Sequence, residues 1–151
     1  MTLTLRPALP SDLDLLAGMN KCLIEDEGSR NPMDLAALRE RLTAWLQTGE
    51  YTIDLFLSDA HIVGYAVHQT HSADPSTGQR YVHLRQLYIE RDVRGKGLGT
   101  QALHSLIDTR FPRGCSVQLE VLAGNLGAQR FYEHVGFALY ATTMVRQPDD
   151  L

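Results

Sequence analysis

RDVRGKGLGTQAL, residues 91–103, sets Gly95, Gly97 and Gly99 on alternate positions just as a helical pattern begins. Glycine in a helix costs about 1 kcal/mol against alanine, so bare backbone at this point answers some other demand. The stretch follows a strand-like run, YVHLRQLYIE (residues 81–90). It leads into Leu98, Ala102, Leu103, Leu106 and Ile107 on one side of a helix. A strand, a glycine loop and a helix N-terminus together present a row of backbone N–H groups, a geometry suited to an anion such as a pyrophosphate. Glycine lets a ligand approach the backbone closely, and Arg94 and Lys96 add positive charge. On glycine spacing alone, a tight turn with a solvated basic pair explains the pattern as well. A Walker A frame is absent, because Lys96 precedes Gly97 and Leu98. Gly97, Gly99 and Ala102 satisfy GxGxxA, but RDVR separates them from the strand, so the tight strand–turn–helix context of a dinucleotide site is missing.

The preceding strand has a phase fault. Val82 and Leu84 are apolar on even positions, Leu87 and Ile89 on odd ones. One extra residue near Arg85 and Gln86 restores the facing, as a β-bulge does. A strand buried on both faces is the alternative.

Outward from this point the chain alternates strands and helices. Residues 2–6 alternate as a strand that Pro7 and Pro10 end. Ser11 is a helix cap candidate, before a stripe of Leu13, Leu16, Met19 and Leu23. After the loop EDEGSRNP a second helix carries Leu35, Leu38, Leu42, Trp45 and Leu46, closed by Gly49. YTIDLFLSDAHIVGYAVHQT reads as two strands about a turn at residues 58–60. Downstream, SVQLEVL is a strand and GAQRFYEHVG a short helix with Ala128, Phe131, Tyr132 and Val135 on one face. FALYATTMVR is a last strand. The order is β-α-α-β-β-β-α-β-α-β, an α/β (α+β) class, with no repeat or linker, so residues 1–151 are expected to form one domain.

Composition sets outer bounds. The chain has 151 residues, 44% apolar and 21% charged, with a formal net charge of −4. That charge argues against a broad nucleic-acid surface. No window approaches the roughly 20 apolar residues of a membrane span. The start, MTLTLRPALPSDLDLL, has no basic segment followed by an apolar run, so no signal peptide is read and the cytoplasm is the expected location. Cys22 and Cys115 have no metal-ligand spacing, and the six histidines form no HExxH or HxH cluster. No metal is expected.

RGKGLG (residues 94–99) resembles the acyl-CoA pyrophosphate motif of the GNAT superfamily of N-acetyltransferases, [Q/R]-x-x-G-x-[G/A]. NLGAQRFYEHVGF (residues 125–137) resembles its second hallmark, N-x-x-A-x-x-[FL]-Y-x-x-x-G-F, and the two occur in the family's order. The resemblance implies a single mixed, mostly antiparallel sheet flanked by helices, with acetyl-CoA as co-substrate. It implies transfer of the acetyl group to an amine by direct attack in a ternary complex. Arg94, Gly95, Lys96, Gly97, Leu98, Gly99 and Thr100 would hold the pyrophosphate. Leu87, Tyr88 and Ile89 would pair with pantetheine and aim an N–H at the thioester carbonyl. Asn125 would contact the coenzyme arm, and Tyr132 would protonate the leaving sulfur. A phenol, protonated at neutral pH, suits that role, although Tyr132 also falls on the apolar stripe of its helix.

The family pattern breaks at the base. Many relatives carry an acidic residue where this chain has Arg85 and Gln86. His83 resembles a histidine used in some arylalkylamine-type members and is one candidate, acting through a water; Glu90 and Glu120 are others. For the acceptor, Glu25, Asp26 and Glu27 on the loop after the first helix favour a cationic amine, while Arg85 favours a carboxylate. A zwitterion or a peptide end reconciles the two. The partner expected is a small-molecule or peptide amine; a homodimer is also allowed. A non-catalytic acyl-CoA-binding module and a protein-modifying acetyltransferase are the competing readings.

Overall fold

The computed structural model describes residues 2–149. Its sheet has five strands in spatial order β1 (Leu3–Pro7), β2 (Thr52–Ser58), β3 (His61–His71), β4 (Tyr81–Ile89) and β5 (Ser116–Gln118). The first four are antiparallel neighbours, and β5 joins β4 in parallel. Helices α1 (Leu13–Glu27) and α2 (Leu35–Thr48) fill the connection from β1 to β2. Helix α3 (Leu98–Thr109) links β4 to β5, and α4 (Leu126–His134) follows β5.

Both faces of the sheet are covered, so the central strands are apolar nearly throughout. Period 2 sends alternate side chains to opposite faces. Leu55, Tyr65, Val67 and Tyr88 pack with Leu16, Leu38, Leu42 and Trp45 of α1 and α2. Phe56, Ala66, Val82 and Leu84 pack on the other face with Leu98, Ala102, Leu103 and Leu106 of α3. Gly64 lies opposite Ile89, and a Cβ there would collide with the Tyr88 carbonyl; β3 and β4 therefore need glycine at this position.

The bulge is present. Val67 pairs with Gln86 and His68 with Leu84, which leaves Arg85 as the extra residue on β4. Its effect is the one the phase fault demands, since Val82 and Leu84 before it and Leu87 and Ile89 after it all pack on the α3 face.

Two local expectations are corrected. The cap of the first helix is not Ser11. The helix begins at Leu13, and Asp12 accepts 2.9 and 3.1 Å bonds from Arg6 and one from the Leu9 N–H, closing the turn before α1. The last strand does not form in this chain. Residues 137–148 contain no helix, strand, turn or bend and pair with no other strand.

Candidate active site

Strands β4 and β5 are paired only from Tyr81–Ser116 to His83–Gln118. Beyond that they part. From Leu84 onward β4 keeps β3 on one edge, while among the described residues its other edge has no strand partner. Arg85, the bulged residue, stands at the point of parting, where the extra residue bends and twists its strand. The cleft that opens is walled by β4 at residues 84–87, by residues 119–121 after β5, and by Asn125, Ala128 and Tyr132 of α4. Leu23 and Glu27 of α1 close it. A wider depression beside the β2–β3 turn, lined by Asp59, His61, Glu90 and Asp92 among others, lacks this splayed strand edge.

At one end of the split lies the glycine loop. Gly95 and Gly97 have φ of +81° and +78°, a left-handed region that favours glycine. Gly97 caps α3, and the first helical bond runs from the Gln101 N–H to the Gly97 carbonyl. The N–H groups of Leu98, Gly99 and Thr100 therefore precede the helical ladder and are available to an anion. Gly99 answers a different demand: a Cβ there would press on the Phe131 ring at 3.3 Å, so this glycine seats α3 against α4. The loop is braced from α1. Asp26 accepts from Arg91 (2.9 Å) and Arg94 (2.6 Å), Glu25 pairs with Arg91, and Arg94 also donates to the Ile89 carbonyl. Those partners hold Asp26 below the usual carboxylate range against the opposing effect of burial. Lys96 is exposed beside them.

The sequence-derived acceptor residues are thus divided. Glu25 and Asp26 brace the glycine loop and do not line the cleft. Arg85 does. Its guanidinium lies 5.0 Å from the Trp45 ring and 5.4 Å from the Tyr51 ring and donates to the Tyr51 hydroxyl at 3.2 Å. Arg41 covers Trp45 at 4.7 Å, and its Nε is buried without a partner. Glu27, expected on a loop with Glu25 and Asp26, instead ends α1 with them and is the one member of the acidic run that reaches the cleft. It extends the Leu16–Leu23 stripe of α1 by one more turn, which was the signal available, and it enters the cleft with Arg85 and Tyr132. Burial, with Asp26 next to it, raises its carboxyl above the usual glutamate range.

Tyr132 is half-buried and edge-on to Phe131 and Phe137, with ring centroids 5.1 and 5.4 Å away. Burial, then the Glu27 charge, push its phenol upward, so it carries its proton at neutral pH. Asn125 caps α4 by accepting from the Ala128 N–H at 3.2 Å, which aims the helix at the cleft. Leu87, Tyr88 and Ile89 pair with Ala66, Tyr65 and Gly64 on the closed side of β4. His83 is placed at the foot of the split, with Nε2 2.8 Å from Glu120 Oε1. It does not line the cleft, whereas Glu120 does.

The fold as a whole resembles solved proteins named as acetyltransferases. An aminoglycoside N-acetyltransferase solved in complex with CoA superposes with a TM-score of 0.75 at 15% identity, over 99% of this chain and 96% of that one. A protein described as a predicted acetyltransferase, solved with acetyl-CoA from Clostridium acetobutylicum, gives a TM-score of 0.73 at 21% identity, over 97% and 96%. An L-methionine sulfoximine/L-methionine sulfone acetyltransferase of Pseudomonas paraeruginosa is 32% identical over 114 residues, covering 74% of this chain and 64% of that protein. The chain therefore spans just under two thirds of that relative's length. The profile of the Acetyltransferase (GNAT) family matches residues 20–137. The chain belongs to that family. Among the described residues no helix is long and apolar enough to cross a membrane.

Proposed function

We propose that the chain is an acetyl-CoA-dependent N-acetyltransferase whose acceptor is the primary amine of a small carboxylate-bearing molecule, a free amino acid or a peptide end. One observation carries the reading: Glu27, Arg85 and Tyr132, an anion, a cation and a neutral acid, line a single cleft beside an open strand edge. Acetyl-CoA supplies the acyl thioester. The free amides at Leu98, Gly99 and Thr100, with Lys96 nearby, fit its pyrophosphate, and the unpaired edge of β4 at residues 84–89 fits its pantetheine arm.

The acceptor's carboxylate docks on Arg85, whose charge Arg41 reinforces across Trp45. Its ammonium, with an ordinary pKa of about 8 at a peptide end and about 10 for an alkylamine, meets Glu27. A carboxyl with a raised pKa is a better proton acceptor than an ordinary one, and Glu27 takes the proton that frees the amine for attack. A backbone N–H on the open edge of β4 steadies the oxyanion. Tyr132 gives its proton to the departing sulfur. The named relative acts on derivatives of L-methionine, which carry an α-amine beside a carboxylate, and this supports the acceptor class. His83, bonded to Glu120 at the foot of the split, is the weaker base on geometry.

The deciding experiment is a screen for free-thiol release from acetyl-CoA with L-amino acids, L-methionine sulfone, dipeptides, polyamines and aminoglycosides. Turnover confined to acceptors with a carboxylate near the amine supports the proposal. Preference for polyamines refutes the role of Arg85. Tight acetyl-CoA binding with no thiol release from any acceptor makes the chain a binding module.

A further inference from the structure

Two buried donors behind the cleft have nothing to donate to. Asn20 of α1 is 1% exposed, and its Oδ1 accepts from Arg41 of α2 at 3.2 Å. That bond fixes the orientation of the amide, so Nδ2 faces elsewhere, and among the described residues no acceptor meets it. Arg41 Nε is buried and unpartnered in the same way. Leaving a buried donor unpaired costs the full desolvation of that group. Two such donors on bonded neighbours mark a place short of acceptors. Asn20 shares its face of α1 with Leu23 and Glu27, and both of these line the cleft.

The balance of charge points the same way. Arg41 and Arg85 both rest on the Trp45 ring, at 4.7 and 5.0 Å. Neither guanidinium meets a carboxylate among the described residues: Arg41 bonds Asn20 and Arg85 bonds Tyr51. Of the two carboxylates that line the cleft, Glu120 is taken by His83, and Glu27 faces the acceptor's ammonium in the proposed reaction. A single α-carboxylate therefore matches Arg85 and leaves Arg41 unmatched. We propose that Asn20 Nδ2 and Arg41 Nε form a second anion subsite, and that the preferred acceptor is an amino acid with a second carboxylate on its side chain. The amine and the α-carboxylate rest on the transferase reading above; the second anion rests on the Asn20–Arg41 donors. Such an acceptor brings one ammonium and two carboxylates to one carboxylate and two guanidiniums. Burial and the Arg85 charge both work against the charged form of Arg41, and an anion beside it relieves both.

The test compares acids with their amides, in thiol release from acetyl-CoA. The better of L-aspartate and L-glutamate should exceed its own amide, L-asparagine or L-glutamine, by roughly tenfold or more in kcat/KM, the scale of a hydrogen bond to a charged group. Asn20→Asp sets a carboxylate of the same size against Arg41 and should bring that ratio near unity. Arg41→Met, which keeps an apolar stem beside Trp45, should do the same. Glutarate has two carboxylates and no amine; it should raise the thermal midpoint of the wild type and leave that of Asn20→Asp unmoved. Equal turnover of acid and amide overturns the proposal, as does a preference that survives both variants. L-methionine sulfone outrunning both dicarboxylates overturns it too, because neutral oxygens then fill the subsite. If no amine releases thiol, the transferase reading fails instead and glutarate alone decides the subsite. A shift lost in Asn20→Asp then supports it, and no shift in the wild type overturns it.

Discussion

At Tyr132 one oxygen separates a packing residue from an acid. Its ring fills the angle between Phe131 and Phe137, and Tyr132→Phe keeps that ring. Loss of general acid catalysis costs about 10²–10⁴-fold in rate, so the variant should lose that much kcat while coenzyme affinity by calorimetry stays within error. Wild-type turnover would reduce Tyr132 to core. In the proposed reaction Glu27 acts at the opposite end and must be ionised to accept a proton. Its raised pKa places the acidic limb of the pH–rate profile above the usual glutamate value of about 4.3. Activity should therefore fall as pH drops through that limb, and Glu27→Gln should lower kcat and abolish the limb. A limb that persists in the variant assigns the base elsewhere, to His83 or Glu120. Arg85→Glu should shift the acceptor profile from amino acids toward polyamines; an unchanged profile would remove Arg85 from the acceptor site.

Elements position these groups through two glycines with different tasks. Gly97 turns the backbone at φ +78° so that the first amides of α3 face outward. Valine is β-branched and strained in that conformation. Gly97→Val should abolish coenzyme binding by calorimetry while far-UV circular dichroism shows the fold retained, since no atom other than backbone neighbours lies within 4 Å of a Cβ there. Gly64 lets β3 and β4 close up beneath the bulge. Gly64→Ala drives a methyl into the Tyr88 carbonyl. Overpacking of this kind costs roughly 1–3 kcal/mol, which urea unfolding should register as a lower midpoint with an unchanged slope.

Across the whole molecule, buried ion pairs tie remote segments together. Fully buried Asp54 of β2 accepts from Arg110, at the end of α3, at 2.9 Å and lies 2.8 Å from His68 Nε2 on β3. Burial alone would raise its pKa; the two partners outweigh it and hold it down. Asp12, bonded to Arg6, is also held down. A carboxylate whose folded pKa lies below its unfolded value of about 3.9 stabilises fully above that value and loses the contribution as pH falls through the folded pKa. Unfolding midpoints should therefore drop below about pH 4. Asp12→Asn should lower stability at neutral pH and flatten the acid branch; an acid branch as steep as wild type would show that Asp12 contributes nothing to it.

The glycine spacing, the apolar periods and the pairing of RGKGLG with NLGAQRFYEHVGF were enough to identify fold class and family, and to single out the proposed coenzyme loop and Tyr132, because each is a local pattern. The bulge was legible too: a change of phase along one strand needs no knowledge of its neighbours. The roles of the acidic run were not. Glu25, Asp26 and Glu27 are consecutive, and only the rotation of α1 against the sheet sends two of them to Arg91 and Arg94 and the third into the cleft. The aromatic seat of Arg85 joins α2, the start of β2 and β4, elements far apart in sequence. The last strand shows the limit from the other side. FALYATTMVR declares its β preference in composition, but a strand exists only where an edge receives it, and in this chain's own sheet none does.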